Sequence, residues 1–260
     1  MKISVAIITL NEEANIGRAL RSVEWADEIL VLDSGSSDRT EDIVRDFGAR
    51  FEFNEWNGFS KQKQKAADLC GNEWILSIDA DEEVTEALAT EIKDLLKSDP
   101  DLDGFKIPRL SIYMDREIRH SGWYPDHQLR LFRKSKGHWK ERLIHESFEM
   151  ADGSTAGVLS NDLLHFSVHT PIEHHRMIGD RYALLGAKQA LSDGKRSGPV
   201  KTVVAPVLAF SRSYLLKLGF LDGFPGFCIA FFSAYHAFLK NLLMVRLPRE
   251  TPTAKADGSK

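Results

Sequence analysis

The first hundred residues alternate short apolar runs with segments of helical spacing, and this alternation limits the fold more than any other feature of the chain. Residues 3–10 form a continuous apolar strand, and Ile16, Ala19, Leu20 and Val23 follow at helical spacing. Residues 28–32 predict a second strand. Asp38, with Glu41 three residues on as in a capping box, predicts the start of a helix that turns Ile43, Val44 and Phe47 inward and stops at Gly48. Residues 50–53 read as a third strand, 59–70 as a helix stopped by Gly71, and 74–78 as a fourth, fully apolar strand. Thr85 then caps a helix with Leu88, Ile92, Leu95 and Leu96 on one face. Strands apolar on both faces need cover on both faces. The pattern therefore predicts an α/β fold with a doubly wound, mainly parallel sheet and right-handed crossovers. In such sheets ligands bind beyond the carboxyl ends of the strands, where strand order reverses.

After Pro108 the pattern changes. Residues 110–118 and 128–133 read as antiparallel strands, Thr170 and Pro171 start a helix running to about Leu191, and 193–199 is polar and turn-rich. Between Asp222 and Lys240 lie 17 residues without a charge, among them Phe224, Phe227, Phe231, Phe232 and Phe238. A spanning helix needs about 20 apolar residues, and this stretch opens on Gly223, Pro225 and Gly226. Two readings stay open. One is a helix lying in the headgroup plane of a membrane, flanked by Lys217, Lys240, Arg246 and Arg249; the other is a helix that completes the core. A net charge of −4 argues against a dedicated nucleic-acid binder. Only two cysteines, Cys70 and Cys228, exclude a disulfide framework and favour a reducing compartment. The apolar start is too short for a signal-peptide core, so a cytoplasmic location is expected.

Two strands finish in acid: Val31-Leu32-Asp33-Ser34-Gly35-Ser36-Ser37-Asp38, and Ser77-Ile78-Asp79-Ala80-Asp81-Glu82. A carboxylate directly after a buried strand is costly without a partner. Asp79 and Asp81 are two residues apart, and like charges that close oppose joint ionisation. A divalent cation removes the conflict, and hard oxygen ligands suit Mg²⁺ or Mn²⁺. Turn or helix capping explains one such Asp but not both. Asp33 is suited to accept from a nucleobase N–H, although an Asx turn accounts for it nearly as well.

These residues, with Thr9-Leu10-Asn11-Glu12 before them, resemble the successive motifs of glycosyltransferase family 2, whose fold is called GT-A. Gln128-Leu129-Arg130-Leu131-Phe132, followed by Trp139 and by His145-Glu146, is similar to the lipopolysaccharide-core β-1,4-glucosyltransferase branch. The resemblance covers roughly residues 1–190 and departs at Ser34, where many relatives carry a second Asp. The pattern divides the chain into a nucleotide-sugar half (1–108), an acceptor half (109–192), and an appended C-terminal helical region, 193–260, that is open to membrane association and ends in a disordered tail. By the resemblance, Thr9, Asn11 and Glu12 would line the nucleotide pocket, Asp33 would contact the base, and Asp79 would approach the ribose or the metal. Asp81 would be the main ligand of Mg²⁺ or Mn²⁺, with His165 as a further ligand, although a lone His in an apolar run taken by itself reads as a satisfied core residue. Lys63 matches a basic position that neutralises phosphate, although taken alone it reads as a solvated helix face.

The resemblance makes Glu146 the general base for transfer with inversion, which needs one carboxylate to take the acceptor hydroxyl proton. His145 would orient Glu146 or the acceptor. Trp123, Tyr124 and Trp139 either stack on a sugar ring or pack in an aromatic core. The implied partners are a nucleotide-diphospho-sugar, UDP-linked, and a saccharide or lipid-linked acceptor at the cytoplasmic face of the inner membrane. Two other classes fit less well. A haloacid-dehalogenase-type phosphatase also ends an apolar strand in Asp-x-Asp, but it expects a small Thr or Val where this chain has Glu83, and it uses the first strand. A non-catalytic membrane-surface protein does not explain the intact Asp79, Asp81 and Glu146.

Overall fold

The structure, a computed structural model, describes residues 1–140 and 147–247. Four parallel strands, β1 (Ile3–Thr9), β2 (Glu28–Asp33), β3 (Arg50–Phe53) and β4 (Trp74–Asp79), alternate with helices α1 (Ile16–Ser22), α2 (Thr40–Phe47) and α3 (Phe59–Leu69). A short β5 (Glu82–Val84) and α4 (Glu86–Lys97) follow, the latter capped by Thr85 through the Leu88 N–H at 3.2 Å. Then come β6 (Gly104–Tyr113), β7 (Arg116–Glu117), β8 (Asp126–Arg133), β9 (Gly137–Lys140), β10 (Ser147–Met150), β11 (Ala156–Val158) and β12 (Leu163–Val168). The main path through the sheet runs β3-β2-β1-β4-β8-β6-β12-β5 among the described residues, while β9 and β10 form a separate hairpin. This is the α/β architecture expected of the GT-A fold.

The alternation of β1 explains the two-sided core. Ile3, Val5 and Ile7 join Ile16, Leu20, Val44, Leu88 and Ile92 on one face, while Ala6 and Ile8 join Ala66, Ala67, Phe132 and Trp139 on the other. Each fully buried aliphatic side chain stabilises by about 1.5–3 kcal/mol. β4 pairs parallel with β1 and antiparallel with β8, so the sheet changes sense at the strand that carries Asp79.

Several local expectations are corrected. Asp38 does not cap the second helix. Its Oδ1 accepts from both the Thr40 N–H (3.0 Å) and the Thr40 hydroxyl (2.6 Å), so the helix starts at Thr40, and Glu41 pairs with Arg45 at 2.8 Å rather than closing a capping box. Pro108 falls inside β6, opposite His127. Residues 110–118 are not one strand but the end of β6 and the separate β7, turned through Met114 and Asp115, both at positive φ.

The helix after Thr170 has the predicted capping box and Pro171, but it is not uniform. It runs as α5 (Pro171–Arg176), a π-helical segment (Met177–Tyr182) and α6 (Ala183–Ser192). A hairpin of α7 (Pro199–Ser211) and α8 (Gly223–Arg246) follows, joined by a π-helical segment (Arg212–Leu216) and a 3-10 turn (Gly219–Asp222). Gly223, Pro225 and Gly226 lie in the first turn of α8 rather than ahead of it, where a missing proline N–H has no intrahelical partner to lose. Gly226 is required there, since a Cβ would meet the Gly219 carbonyl oxygen at 1.9 Å. Cys70 and Cys228 are buried free thiols.

Candidate active site

The ends of β1 and β4, the start of α3, parts of β8 and β12, and the helical run 177–185 enclose a cleft of about 820 Å³. Beneath it lies a lattice of paired charges. Lys63, one turn into α3, is 2% exposed, and its ammonium stands 2.9 Å from Asp79 Oδ1. Arg130 on β8 donates from Nη2 to Asp79 Oδ2 at 2.9 Å and to Glu82 Oε1 at 2.7 Å. Glu82, on β5, is 0% exposed; its Oε2 accepts the Asp79 N–H at 2.9 Å, and Arg109 of β6 lies 3.4 Å from Oε1. Arg109 also donates twice to Asp126 Oδ2, at 3.0 and 2.7 Å. Burial works to raise the Asp79 carboxyl, but the charges and hydrogen bonds of Lys63 and Arg130 overcome it and hold Asp79 well below the usual carboxylate range.

Asp81 sits in the turn between β4 and β5, and its Oδ2 is 3.3 Å from Nε2 of His165. Strand register brings the two together. β12 pairs with β5 with His165 opposite Glu82, and the Phe166 N–H donates to the Asp81 carbonyl at 2.9 Å. Glu12 also lines the cleft. Burial raises its carboxyl above the ordinary range, and the charges of Asp81, Asp38 and Asp79 add to this, against the hydrogen bond from Asn15. Among the described residues no three His, Cys, Asp or Glu side chains form a ready-made metal cage. One carboxylate and one imidazole, with Glu12 and Asp79 in the same lining, fit a divalent cation that keeps further positions for phosphate oxygens.

Among the described residues, Thr9 Oγ1, Trp139 Nε1, His165 Nδ1 and Ser167 Oγ are buried polar atoms of the cleft lining with no hydrogen-bond partner. Each such atom costs about 1–3 kcal/mol when left unpaired. Their convergence on one cleft is what a polar ligand site requires.

Of the residues singled out in the sequence, Thr9, Glu12, Lys63, Asp79, Asp81, Trp139 and His165 line the cleft. Lys63 is no solvated face, because its side chain turns under the cleft to Asp79. Asp33 faces its own loop. Its Oδ1 accepts from the Gly35 and Ser36 N–H groups at 2.7 and 2.8 Å, and Gly35 makes the turn possible at φ +101°. Asn11 braces the same loop by accepting from the Ser37 N–H at 2.8 Å. Trp123 packs edge-on against Tyr113 with ring centres 5.7 Å apart, and the Tyr124 hydroxyl donates to Asp162 at 2.9 Å; neither lines the cleft. His145 and Glu146 lie outside the described residues, but the next residue, Ser147, lines the cleft.

Sequence reasoning missed Arg109, Arg130 and Arg181. The first two sit on β6 and β8, and their carboxylate partners lie far away in the sequence. Arg181 lies on the π-helical segment with its guanidinium 5.1 Å from the Phe59 ring centre. It lines the cleft without a carboxylate partner among the described residues, unlike Lys63, Arg109 and Arg130.

Residues 4–154 match the profile of a family described as Glycosyl transferase family 2. The chain is 30% identical over 245 residues to the lipopolysaccharide core biosynthesis glycosyltransferase LpsC of Rhizobium meliloti, covering 92% of this chain and 90% of that protein. An uncharacterized glycosyltransferase of Rickettsia bellii is 30% identical over 250 residues, covering 92% and 84%. Among solved structures, the chain is similar to glucosyl-3-phosphoglycerate synthase from Mycobacterium tuberculosis in complex with Mn²⁺, UDP and glucosyl-3-phosphoglycerate. That likeness has 26% identity and a TM-score of 0.36, and it spans 43% of this chain and 44% of the other, under half of each.

Proposed function

The chain belongs to glycosyl transferase family 2 and is a glycosyltransferase, and on that premise we propose that it moves a sugar, with inversion, from a UDP-sugar to a hydroxyl of a saccharide or lipid-linked acceptor. The setting is lipopolysaccharide-core or related cell-surface polysaccharide synthesis, with the protein peripheral on the cytoplasmic face of the inner membrane. The observation that carries the donor side is the Asp81–His165 pair, 3.3 Å apart in the lining of a cleft that, among the described residues, also holds unpartnered buried polar atoms.

Asp81 and His165 would hold Mg²⁺ or Mn²⁺, which when bound supplies positive charge for the donor diphosphate. Asp79 belongs with them as a neighbour of the ribose or metal, while Lys63 and Arg130 set its charge and position. Arg181 takes up phosphate charge from the helical wall, and Thr9 and Glu12 line the nucleotide pocket. Asp33 and Asn11 act on the nucleotide side by shaping the loop 34–37, through the hydrogen bonds that brace it. Glu146 accepts the proton of the acceptor hydroxyl as its oxygen attacks the anomeric carbon, and the diphosphate departs with the bonding electrons. His145 orients that carboxylate, and Trp139 offers its edge to the sugar; Trp123 and Tyr124 contact more distant parts of a long acceptor.

The test is a thermal-shift and calorimetry series with UDP-, GDP- and TDP-sugars, with and without Mn²⁺, since a bound ligand raises apparent stability by mass action. Metal-dependent stabilisation by a UDP-sugar is expected. It should be lost in Asp81→Asn and kept in Glu146→Gln, which binds donor but does not transfer. Turnover of Glu146→Gln near that of the unaltered protein removes the base assignment. Nucleotide binding indifferent to metal removes the Asp81–His165 assignment.

A further inference from the structure

We propose that the outer face of the α7–α8 hairpin, together with its turn, docks on the anionic headgroups and outer acyl region of a lipid bilayer without crossing it. This deepens the membrane contact in the function just proposed and takes its biological setting from that reading. The physical argument is separate and concerns where the chain leaves apolar surface.

Among the described residues, 16 of the 23 large apolar side chains left exposed fall between Val200 and Val245. They are ordered. On α7, Val200, Val203, Val204, Val207 and Leu208 follow the i, i+3, i+4, i+7, i+8 spacing of one helix face. Such a stripe ordinarily points into a core, yet Val200 is 76% exposed. Phe224, Phe231, Phe238 and Leu242 form a corresponding stripe on α8, and Leu215, Leu216 and Phe220 continue the surface through the turn, with Leu216 78% exposed. The two helices pack along each other through Phe210–Phe227 and Tyr214–Phe227 ring contacts at 5.9 and 6.0 Å. The stripes therefore belong to one body. Exposed apolar surface concentrated in one hairpin in this way marks an interaction site.

Charge selects the partner. From residue 194 to residue 221 there is no Asp or Glu, and there are five basic residues: Lys195, Arg196, Lys201, Arg212 and Lys217. The acid that ends this run, Asp222, is 3% exposed and accepts from His120 and from the backbone of the 119–120 loop. A chain of net charge −4 thus keeps acid off this one surface. Two copies pressing these faces together would oppose like charges, whereas anionic lipid answers the basic residues and the apolar stripe at once.

Crossing is a poorer fit. Gly219–Arg246 is long and apolar enough to span. However, Cys228, Ile229 and Phe232 on its inner side pack with Tyr113, Val168 and Ile178, and surrounding α8 with lipid would strip that seam. α7 and the π-helical segment after it carry Lys201 and Arg212, and among the described residues only Gly219–Arg246 is long and apolar enough to span. The helical run that walls the cleft through Met177 and Arg181 also packs through Ala187 and Ala190 on Met244 of α8. Docking therefore places the cleft beside the surface that would carry a lipid-linked acceptor.

The test is co-sedimentation of the full chain, without donor or metal, on phosphatidylcholine vesicles and on phosphatidylcholine vesicles containing phosphatidylglycerol. Affinity about tenfold higher for the anionic vesicles, weakened by salt, is expected from the basic residues. Leu216→Glu with Phe224→Glu should abolish binding to both while keeping the melting temperature. Lys201→Gln with Arg212→Gln should remove only the anionic preference, and Val158→Glu, an exposed position on β11, should change nothing. Equal binding to both vesicles overturns the lipid selectivity. Protein that stays off vesicles, or forms a dimer that Leu216→Glu dissociates, overturns docking in favour of a second copy, and protein recoverable only in detergent overturns the peripheral geometry. Donor binding is measured separately on the same variants. Loss of docking with donor binding intact removes this inference alone, and loss of donor binding with docking intact removes the function proposed above alone.

Discussion

Beneath the cleft, Lys63, Asp79, Glu82 and Arg130 lie where aliphatic side chains would be expected; along the outside of α7 and α8, valine, leucine and phenylalanine lie where charge would be expected. Each region inverts the usual division between inside and outside, and they do so by different means. The inner charges are matched one against another at 2.7–2.9 Å, so the cost of desolvating them is met within the fold. The outer apolar residues stay exposed among the described residues. A self-satisfied inversion organises a site, whereas an unsatisfied one implies something from outside. The regions should therefore respond in opposite ways to substitution.

The largest effect is expected under the cleft. Asp79→Ala leaves Lys63 and Arg130 without their shared carboxylate, and breaking a buried pair in this way costs about 3–5 kcal/mol. Chemical denaturation reads this directly. A loss under about 1 kcal/mol would mean that the lattice is wetter than its geometry implies.

The seam between the two regions should answer to acid. His174 shares a hydrogen bond with the Tyr113 hydroxyl at 2.9 Å, and burial first, then the neighbouring His236, lowers its imidazole to about 4. The folded state thus disfavours the proton that the unfolded chain accepts near its ordinary value of about 6.5. Stability from this group is complete above that value and is lost as pH falls toward 4. Melting temperature should fall across this interval, and His174→Gln should flatten the fall. An unchanged slope in the variant would assign the acid sensitivity elsewhere.

A smaller effect separates binding from folding within the cleft. Arg181→Ala should weaken UDP-sugar binding about tenfold, the scale of one charge-assisted hydrogen bond, while leaving the melting temperature alone because the residue is exposed. Unchanged affinity would take Arg181 out of the phosphate site. The smallest effect is expected outside. Val207→Ser, at a position 63% exposed, should alter unfolding free energy by less than about 0.5 kcal/mol. A larger loss would show that the outer stripe serves the fold and would erase the contrast.

The sequence discloses these regions unevenly. β1 to β4 and α4 are legible because continuous apolar runs and a Thr85 cap are local signals, and the acids after β4 stand out against the strand that precedes them. β5 is not legible: Glu82-Glu83-Val84 has no strand pattern, and it forms because β12 offers an edge 80 residues later. The ion lattice escapes for the same reason. Lys63 looks solvated until Asp79 is placed against it, and Arg130 meets Glu82 only once distant strands are brought together. The aromatic tail left two readings open. One side of α8 packs on the body, as the core reading expects, and the other carries the exposed stripe on which the membrane proposal rests. α7 is obscured by Pro206 in its middle, which a helix reading would take as a stop.

The pairing of β5 with β12 has a consequence for how this site can evolve. Side chains on a strand alternate sides, so the spacing between the Asp81 turn and His165 works as a two-position dial. A single-residue insertion or deletion between Val158 and Leu163 that slips β12 by one step would swing the imidazole to the far face of the sheet and bring Leu164 or Phe166 beside Asp81. Length changes there should be tolerated in even steps or absorbed by loop, while substitutions along the same segment meet no such constraint.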